Sequence, residues 1–358
     1  MQTVKQTSPY IRKDVSTKRM MTDVLIALIP VVIFAIYRFK WDAAIRIIVS
    51  LVVMIGLEAV SFAIMQKPKK DTKGLENIKS RFEKYTINNV ITPAISGLIF
   101  AMLLPSKLPI YAVVIGAAVG IVIGKMMFGG LGSNIFNPAA VGRIFITLAL
   151  TPMFTGTYVG VDLVAGGTIL TSLGTGLPFP EILNSYSLLD MFVGFIPGAM
   201  GEISALAILI GGAYLLIRRS ADYRVVVSSV LTFVFLILLA GIKLYPGDVI
   251  NYVLLHLLSG GLLFGFVFMI TDPVTSPVTR FGRVFYGVLV AVVVVLIRLF
   301  GSYPEGVAFA ILFMNMFVPL IDYPTFKMNK ARWPHLVTLG VLILIFGLVV
   351  YFGVGGSL

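Results

Sequence analysis

The sequence predicts an all-α, polytopic membrane protein of about ten transmembrane helices (nine to eleven), built as two related halves with broken or re-entrant helices. Three observations predict this class. Hydrophobic residues fill 58% of the 358 positions and charged residues only 12%, against roughly 25% charged in soluble domains, and the mean hydropathy is +0.99. Continuous runs such as MMTDVLIALIPVVIFAIYRF, VFYGVLVAVVVVLIRLF and LVTLGVLILIFGLVVYFGV reach the roughly 20 residues that cross about 30 Å of hydrocarbon. The net charge of +12 falls between those runs, where it sets membrane orientation rather than marking a nucleic-acid surface.

Residues 1–19 carry Lys5, Arg12, Lys13, Lys18 and Arg19 and are expected in the cytoplasm; no small-residue cleavage pattern follows, which argues against a signal peptide. The first membrane half, 20–154, holds apolar segments at 20–38, 43–65, 90–106, 108–127 and 139–154. Its 66–89 loop, with Lys67, Lys69, Lys70, Lys73, Lys79, Arg81 and Lys84, is expected inside as well. Residues 155–190 contain Asp162, Glu181 and Asp190 but no Lys or Arg, which places that connection on the extracytoplasmic side. The second half, 191–321, holds segments at 191–217, 225–243, 250–271, 284–300 and 304–321, with Arg218, Arg219, Arg224, Arg280 and Arg283 returning to the cytoplasm. Residues 322–358 supply a basic loop, with Lys327, Lys330 and Arg332, and a last span at 335–355. Gly and Pro interrupt the stretches 126–140 and 190–202, the candidates for broken helices, and their number leaves the span count open.

An internal echo supports two halves. GGLGSNIFNPA at 129–139 and GGLLFGFVFMITDPVTSP at 260–277 each run from a glycine pair through aromatic residues to Asn137-Pro138 or Asp272-Pro273, and GLEAVSF at 56–62 and GEISALA at 201–207 each set a glutamate early in an expected helix. Interrupted backbone at membrane depth is tolerated where it lines a cavity. Asn134, Asn137, Asp272 and Thr275 are therefore candidate ligand-lining residues; the alternative is that the glycines only let helices approach closely.

Ionisable residues inside the bilayer are costly, about 2.5–3.5 kcal/mol at a helix centre. Glu58, Arg143, Glu202 and Arg298 fall in or near apolar segments, with Asp23 near an end. They either pair across helices or face a polar cofactor or ion; Glu58 and Glu202, with no opposite charge one helical turn away, are candidates for the second role. With no cysteine and two histidines, the chain has no thiolate to hold an iron-sulfur cluster and little from which to build a zinc or haem site, and no metal ligand is assigned. The strip DLVAGGTIL at 162–170 sets a threonine hydroxyl on backbone with little side-chain cover, open to an outside catalyst. A threonine is a poor nucleophile unless such a catalyst activates it.

Four stretches, GGLGSNIFNPAAVGR (129–143), DLVAGGTIL, LLDMFVGFIPGAMGEISALAILIGGAYLLIRR (188–219) and FMITDPVTSPVT (268–279), together resemble the family of RnfD, a subunit of the Rnf ion-translocating ferredoxin:NAD oxidoreductase complex, and NqrB, a subunit of the sodium-pumping NADH:quinone reductase. The resemblance covers nearly the whole chain, and its short N-terminal extension is more similar to RnfD. It implies a urea-channel-like architecture in a bacterial or archaeal cytoplasmic (inner) membrane. It also implies FMN joined through its phosphate to Thr168 by a flavin transferase, with Asp162, Gly166, Thr168 and Leu170 at the motif positions; Ala165 and Gly167 depart from the usual Ser/Thr and Ala. A second, noncovalent flavin, riboflavin, is implied in the bundle near Asn134, Asn137, Asp272 and Thr275. Implied partners are an RnfG-like FMN subunit, RnfA/RnfE-like membrane subunits and RnfB/RnfC-like soluble subunits that handle NAD and ferredoxin, with Na+ or H+ as coupling ion. An NqrB-like role and, from the residues alone, a small-solute channel or transporter are the alternatives.

Overall fold

The computed structural model describes residues 16–69, 74–153, 158–159, 165–166, 168–174, 179–301, 306–325 and 333–355. Apart from one ribbon of two short strands, its regular elements are helical. Five helices are long and apolar enough to cross a membrane, or seven if each of two bent pairs forms one span. The first, α1 (Thr17–Met65), has 49 residues, which at 1.5 Å per residue is about twice the hydrocarbon thickness. It breaks at Lys40, whose φ of 51° and ψ of −128° are not helical, into legs 17–39 and 41–65.

After the short α2 (Leu75–Arg81), α3 (Asn88–Met102) and α4 (Ile110–Val122) pack on α1. A 3-10 turn at Met126–Phe128 and an irregular strip lead to α5 (Pro138–Ala149). Asn137 caps α5, its Oδ1 accepting the N–H groups of Ala139 and Ala140 at 3.0 and 3.4 Å, and Pro138 takes the first helical position, where its missing N–H costs nothing. The helices α4 and α5 cross closely because Gly116, Gly120 and Gly142 lie at the contact: a Cβ at Gly120 would stand 2.6 Å from the Pro138 carbonyl oxygen. The close-approach reading of small residues therefore holds at this crossing.

Strands β1 (Tyr158–Val159) and β2 (Ala165–Gly166) pair antiparallel, Tyr158 opposite Gly166, and lead into α6 (Ile169–Gly174), α7 (Phe179–Ser185) and α8 (Leu188–Val193). The second half comprises α9 (Ala205–Arg218), α10 (Tyr223–Leu244), α11 (Val249–Leu258), α12 (Leu262–Phe264) running into a π-helical turn at Gly265–Met269, α13 (Arg280–Phe300), α14 (Val307–Asn315) and α15 (Val318–Thr325). Helix α16 (Trp333–Gly353) packs on α10 and α13 and leaves most of its apolar surface uncovered. The halves meet where α1 packs on α9 and α5 on α14.

The two glycine strips do not share a conformation: residues 129–137 are irregular, whereas 262–269 are helical. Nor is either glutamate early in a helix. Glu58 stands near the C-terminal end of α1, and Glu202 lies in the turn before α9, because Ser204 caps α9 by accepting the Ala207 N–H and so fixes its start after the glutamate.

Candidate functional site

Two groups of polar residues stand out. The inner one surrounds a cavity of about 70 Å³ between the halves, lined by Thr92, Lys125, Asn134, Asn137, Asp272 and Ser220 among others. The sequence places Asn137 and Asp272 far apart; folding brings both loops to one wall. Their junction is Asn315, 1% exposed. The Asn137 backbone N–H donates to its Oδ1 at 3.4 Å, while its Nδ2 donates to the Thr275 carbonyl at 2.9 Å and the Tyr286 hydroxyl oxygen at 3.1 Å. Thr275 in turn donates its hydroxyl to Asp272 Oδ2 at 3.0 Å. The Asn134 amide nitrogen is engaged with the Phe136 carbonyl at 3.0 Å. Thus the backbone donors expected to be open at Asn137-Pro138 are partly met, by the Asn137 side chain and by Asn315.

Glu58 does not stand without an opposite charge. Lys125 Nζ, from the end of α4, reaches its Oε2 at 2.6 Å and also donates to Thr92 Oγ1 at 2.9 Å. Pairing across helices is thus the arrangement observed for Glu58. Asp23 is likewise paired, with Arg218, Ser220 and Tyr214. Sequence reasoning missed Lys125 and Asn315. The signal for the first was available, since Lys125 is the single charged residue of the apolar run 108–127; Asn315 carries no comparable mark.

The outer group lies at the break between α11 and α12. Gly260 and Gly261 both have φ of +68°, a left-handed conformation that glycine adopts without a Cβ penalty. Arg298 of α13, 8% exposed, caps the break: Nη1 donates to the His256 carbonyl at 2.5 Å and Nη2 to the carbonyls of Ser259 and Gly260, each at 3.0 Å. Such contacts satisfy the carbonyl groups that a helix end leaves bare and place positive charge at the negative end of its dipole. Leu170 packs on the same break: a Cβ at Gly260 would overlap its side chain and lie 3.0 Å from Arg298 Nη2. Glu202 reaches it from the other side, with Oε2 2.5 Å from where a Gly261 Cβ would stand and Oε1 accepting the Ala199 N–H at 2.6 Å.

Thr168 is therefore not an open hydroxyl. It is 3% exposed, followed by Ile169 and Leu170 at 2% each, because those two apolar residues begin α6 and draw the threonine inward. Gly166 belongs to β2, whereas Asp162 and Gly167 lie outside the described residues. The ribbon is moored to the first half by Arg143, which donates to the Tyr158 hydroxyl at 2.9 Å and to Thr147 Oγ1 at 2.8 Å.

Compared with known proteins, the chain matches the family model described as "NQR2, RnfD, RnfE family" over residues 4–330. It is 34% identical over 319 residues to the D subunit of the Na(+)-translocating ferredoxin:NAD(+) oxidoreductase complex of Acetobacterium woodii, an alignment spanning 88% of this chain and 91% of that protein. It is 32% identical over 361 residues to the B subunit of the Na(+)-translocating NADH-quinone reductase of Ectopseudomonas mendocina, spanning 92% and 89%. With the same quinone-reductase subunit from Chromohalobacter salexigens it shares 40% identity over 247 residues, which span 66% of this chain and 59% of the relative.

Proposed function

Because the chain belongs to the NQR2, RnfD, RnfE family, we propose that it is a flavin-carrying membrane subunit of an ion-translocating electron-transport complex, of the kind that exchanges electrons between ferredoxin and NAD and couples them to Na+ or H+ movement. The single observation that carries this reading is the family match, which runs through both helix breaks and the strip that holds Thr168. An RnfD-like role is favoured over an NqrB-like role by the alignment of 34% identity that spans 91% of the ferredoxin-linked relative, where the 40% match spans only 59% of its quinone-reductase relative. Neighbouring subunits, RnfG-like, RnfA/RnfE-like and RnfB/RnfC-like, would supply the cysteine-held centres that this chain, with no cysteine, does not. In this reading α1 crosses twice, the short helices α3, α5 and α9 enter the membrane, and the count comes to about ten in a urea-channel-like arrangement, with 155–190 outside the inner membrane.

Thr168 would carry FMN as a phosphoester. Its local chemistry suits this: Arg298 supplies buried positive charge beside Leu170, two residues on, near which a phosphodiester anion is stabilised. The buried threonine also requires the 165–170 strip to lift before a transferase can reach its hydroxyl. The inner cavity, with Asn134, Asn137, Asp272 and Thr275 at or beside it, is the proposed seat of a noncovalent riboflavin. At about 70 Å³ it is smaller than the roughly 300–1,000 Å³ of typical ligand pockets, so loading would part its walls. A bound flavin supplies the electron-transfer chemistry; the protein contributes position, hydrogen bonds and charge.

The test is mass analysis of the peptide that contains Thr168, from chain co-produced with its flavin transferase, together with flavin fluorescence after denaturing electrophoresis. An FMN-sized addition that disappears in Thr168→Val is the expected result; an unlabelled wild type would reject the carrier role.

A further inference from the structure

We infer that His256, at the outer helix break, is a positioning residue that hydrogen-bonds the flavin carried on Thr168. The inference rests on the reading of Thr168 as the flavin ester and names the group in the chain that meets the ring. His256 is 2% exposed, and neither Nδ1 nor Nε2 has a hydrogen-bond partner among the described residues. Buried polar atoms are nearly always partnered, and one left bare costs about 1–3 kcal/mol. Phenylalanine would fill the same space without that cost, so the two nitrogens point to a ligand.

The surroundings specify its chemistry. The His256 ring meets the Tyr252 ring edge-on at 4.6 Å, and Tyr252, Tyr245 and Phe179 form a continuous aromatic wall with centroid separations of 5.1–5.4 Å. Arg298 holds the His256 carbonyl and is the charged group nearest the imidazole. Aromatic faces, one imidazole offering a donor and an acceptor, and one fixed cation suit a planar heterocycle whose edge alternates carbonyl oxygens and ring nitrogens. The place also fits. Gly260, four residues after His256, is the residue on which Leu170 packs, and Thr168 lies two residues before Leu170, so a ribityl phosphate chain anchored at Thr168 starts beside this break. The ring takes the space that Leu170 covers in the flavin-free chain, the same displacement that exposes Thr168 to its transferase.

The chain has two histidines, His256 and His335, so 15N-histidine labelling gives an uncrowded spectrum. Full-length chain co-produced with the flavin transferase is compared with Thr168→Val. The expected result is that the His256 side-chain resonances differ between the two proteins while those of His335, which lies in α16 against Phe281, do not. In His256→Phe, gel fluorescence is expected to report a full complement of ester while the flavin midpoint potential falls, since the electron-rich reduced ring loses a donor. Identical His256 resonances in fully flavinylated wild type and Thr168→Val, or an unchanged potential in flavinylated His256→Phe, would overturn the inference. Gel fluorescence reads the ester alone: a wild type without it brings down the function proposed above, and this inference with it, whereas an intact ester with an indifferent His256 brings down only the inference.

Discussion

Lys125 Nζ sits 2.6 Å from Glu58 Oε2 with 3% and 1% of the two side chains exposed, an ion pair sealed between α1 and the end of α4. Removing one partner of such a pair strands the other charge, at a cost of about 3–5 kcal/mol. Glu58→Gln and Lys125→Met are each expected to lower stability by that order, and Glu58→Leu with Lys125→Met together to recover most of it. Thermal unfolding of the four proteins in detergent closes the cycle; strictly additive losses would show that the two residues do not interact.

Asn315 joins the loops of the two halves through one carboxamide. Asn315→Leu leaves the Asn137 N–H without that acceptor and the Thr275 carbonyl without that donor, and buried groups so stranded cost about 1–3 kcal/mol each. The variant is expected to unfold earlier and to lose its noncovalent flavin during purification while keeping the covalent one. Extracted and gel-bound flavin, measured separately, distinguish the two; equal loss of both would contradict the assignment of the inner cavity.

Gly260→Ala introduces a Cβ where Leu170 lies, at a φ of +68°. A backbone this strained costs on the order of 1–3 kcal/mol, and the overlap pushes α6 away from the break. Flavinylation of Thr168 is expected to change severalfold relative to wild type, whereas Gly340→Ala, with nothing within 4 Å of its Cβ, leaves it as it was. Glu202→Gln, which alters the opposite wall of the same break, should change flavin content or turnover; wild-type values for both would remove Glu202 from the site.

At the connection between α9 and α10, Asp222 caps α10 and meets both Arg224 and Arg283. Burial alone would raise its pKa, but the Arg224 N–H and the Arg283 guanidinium hold it below the usual carboxylate value of 3.8. A depressed pKa contributes stability that is complete above the unfolded value and is lost as pH falls through the folded one. Wild type should therefore lose stability below about pH 4 more steeply than Asp222→Asn, a difference visible as converging thermal midpoints when both are acidified.

Much of this was legible in the sequence, for identifiable reasons. Membrane class follows from apolar run length, and the break at 260–261 from a glycine pair in such a run. The pairing of Glu58 was not legible, because its partner is 67 positions away and a search within one helical turn cannot reach it. Thr168 was located by its motif, but its burial depends on Leu170 meeting Gly260 across the second half, a contact with no local periodicity. Asn315 lies in an apolar stretch where a lone amide looks incidental, and only the approach of α14 to α5 gives it two loops to join.

The π-helical turn at Gly265–Met269 sets the phase of everything downstream. Its closing bond runs from the Ile270 N–H to the Gly265 carbonyl at 3.0 Å, so the turn contains one residue more than an α-helical turn would. Deleting a single residue there would restore ordinary winding and swing Asp272 about the helix axis by roughly 100°, out of line with Lys125 and the inner loop. The odd residue thus works as a spacer, and chain length through 265–269 should tolerate substitution far better than shortening.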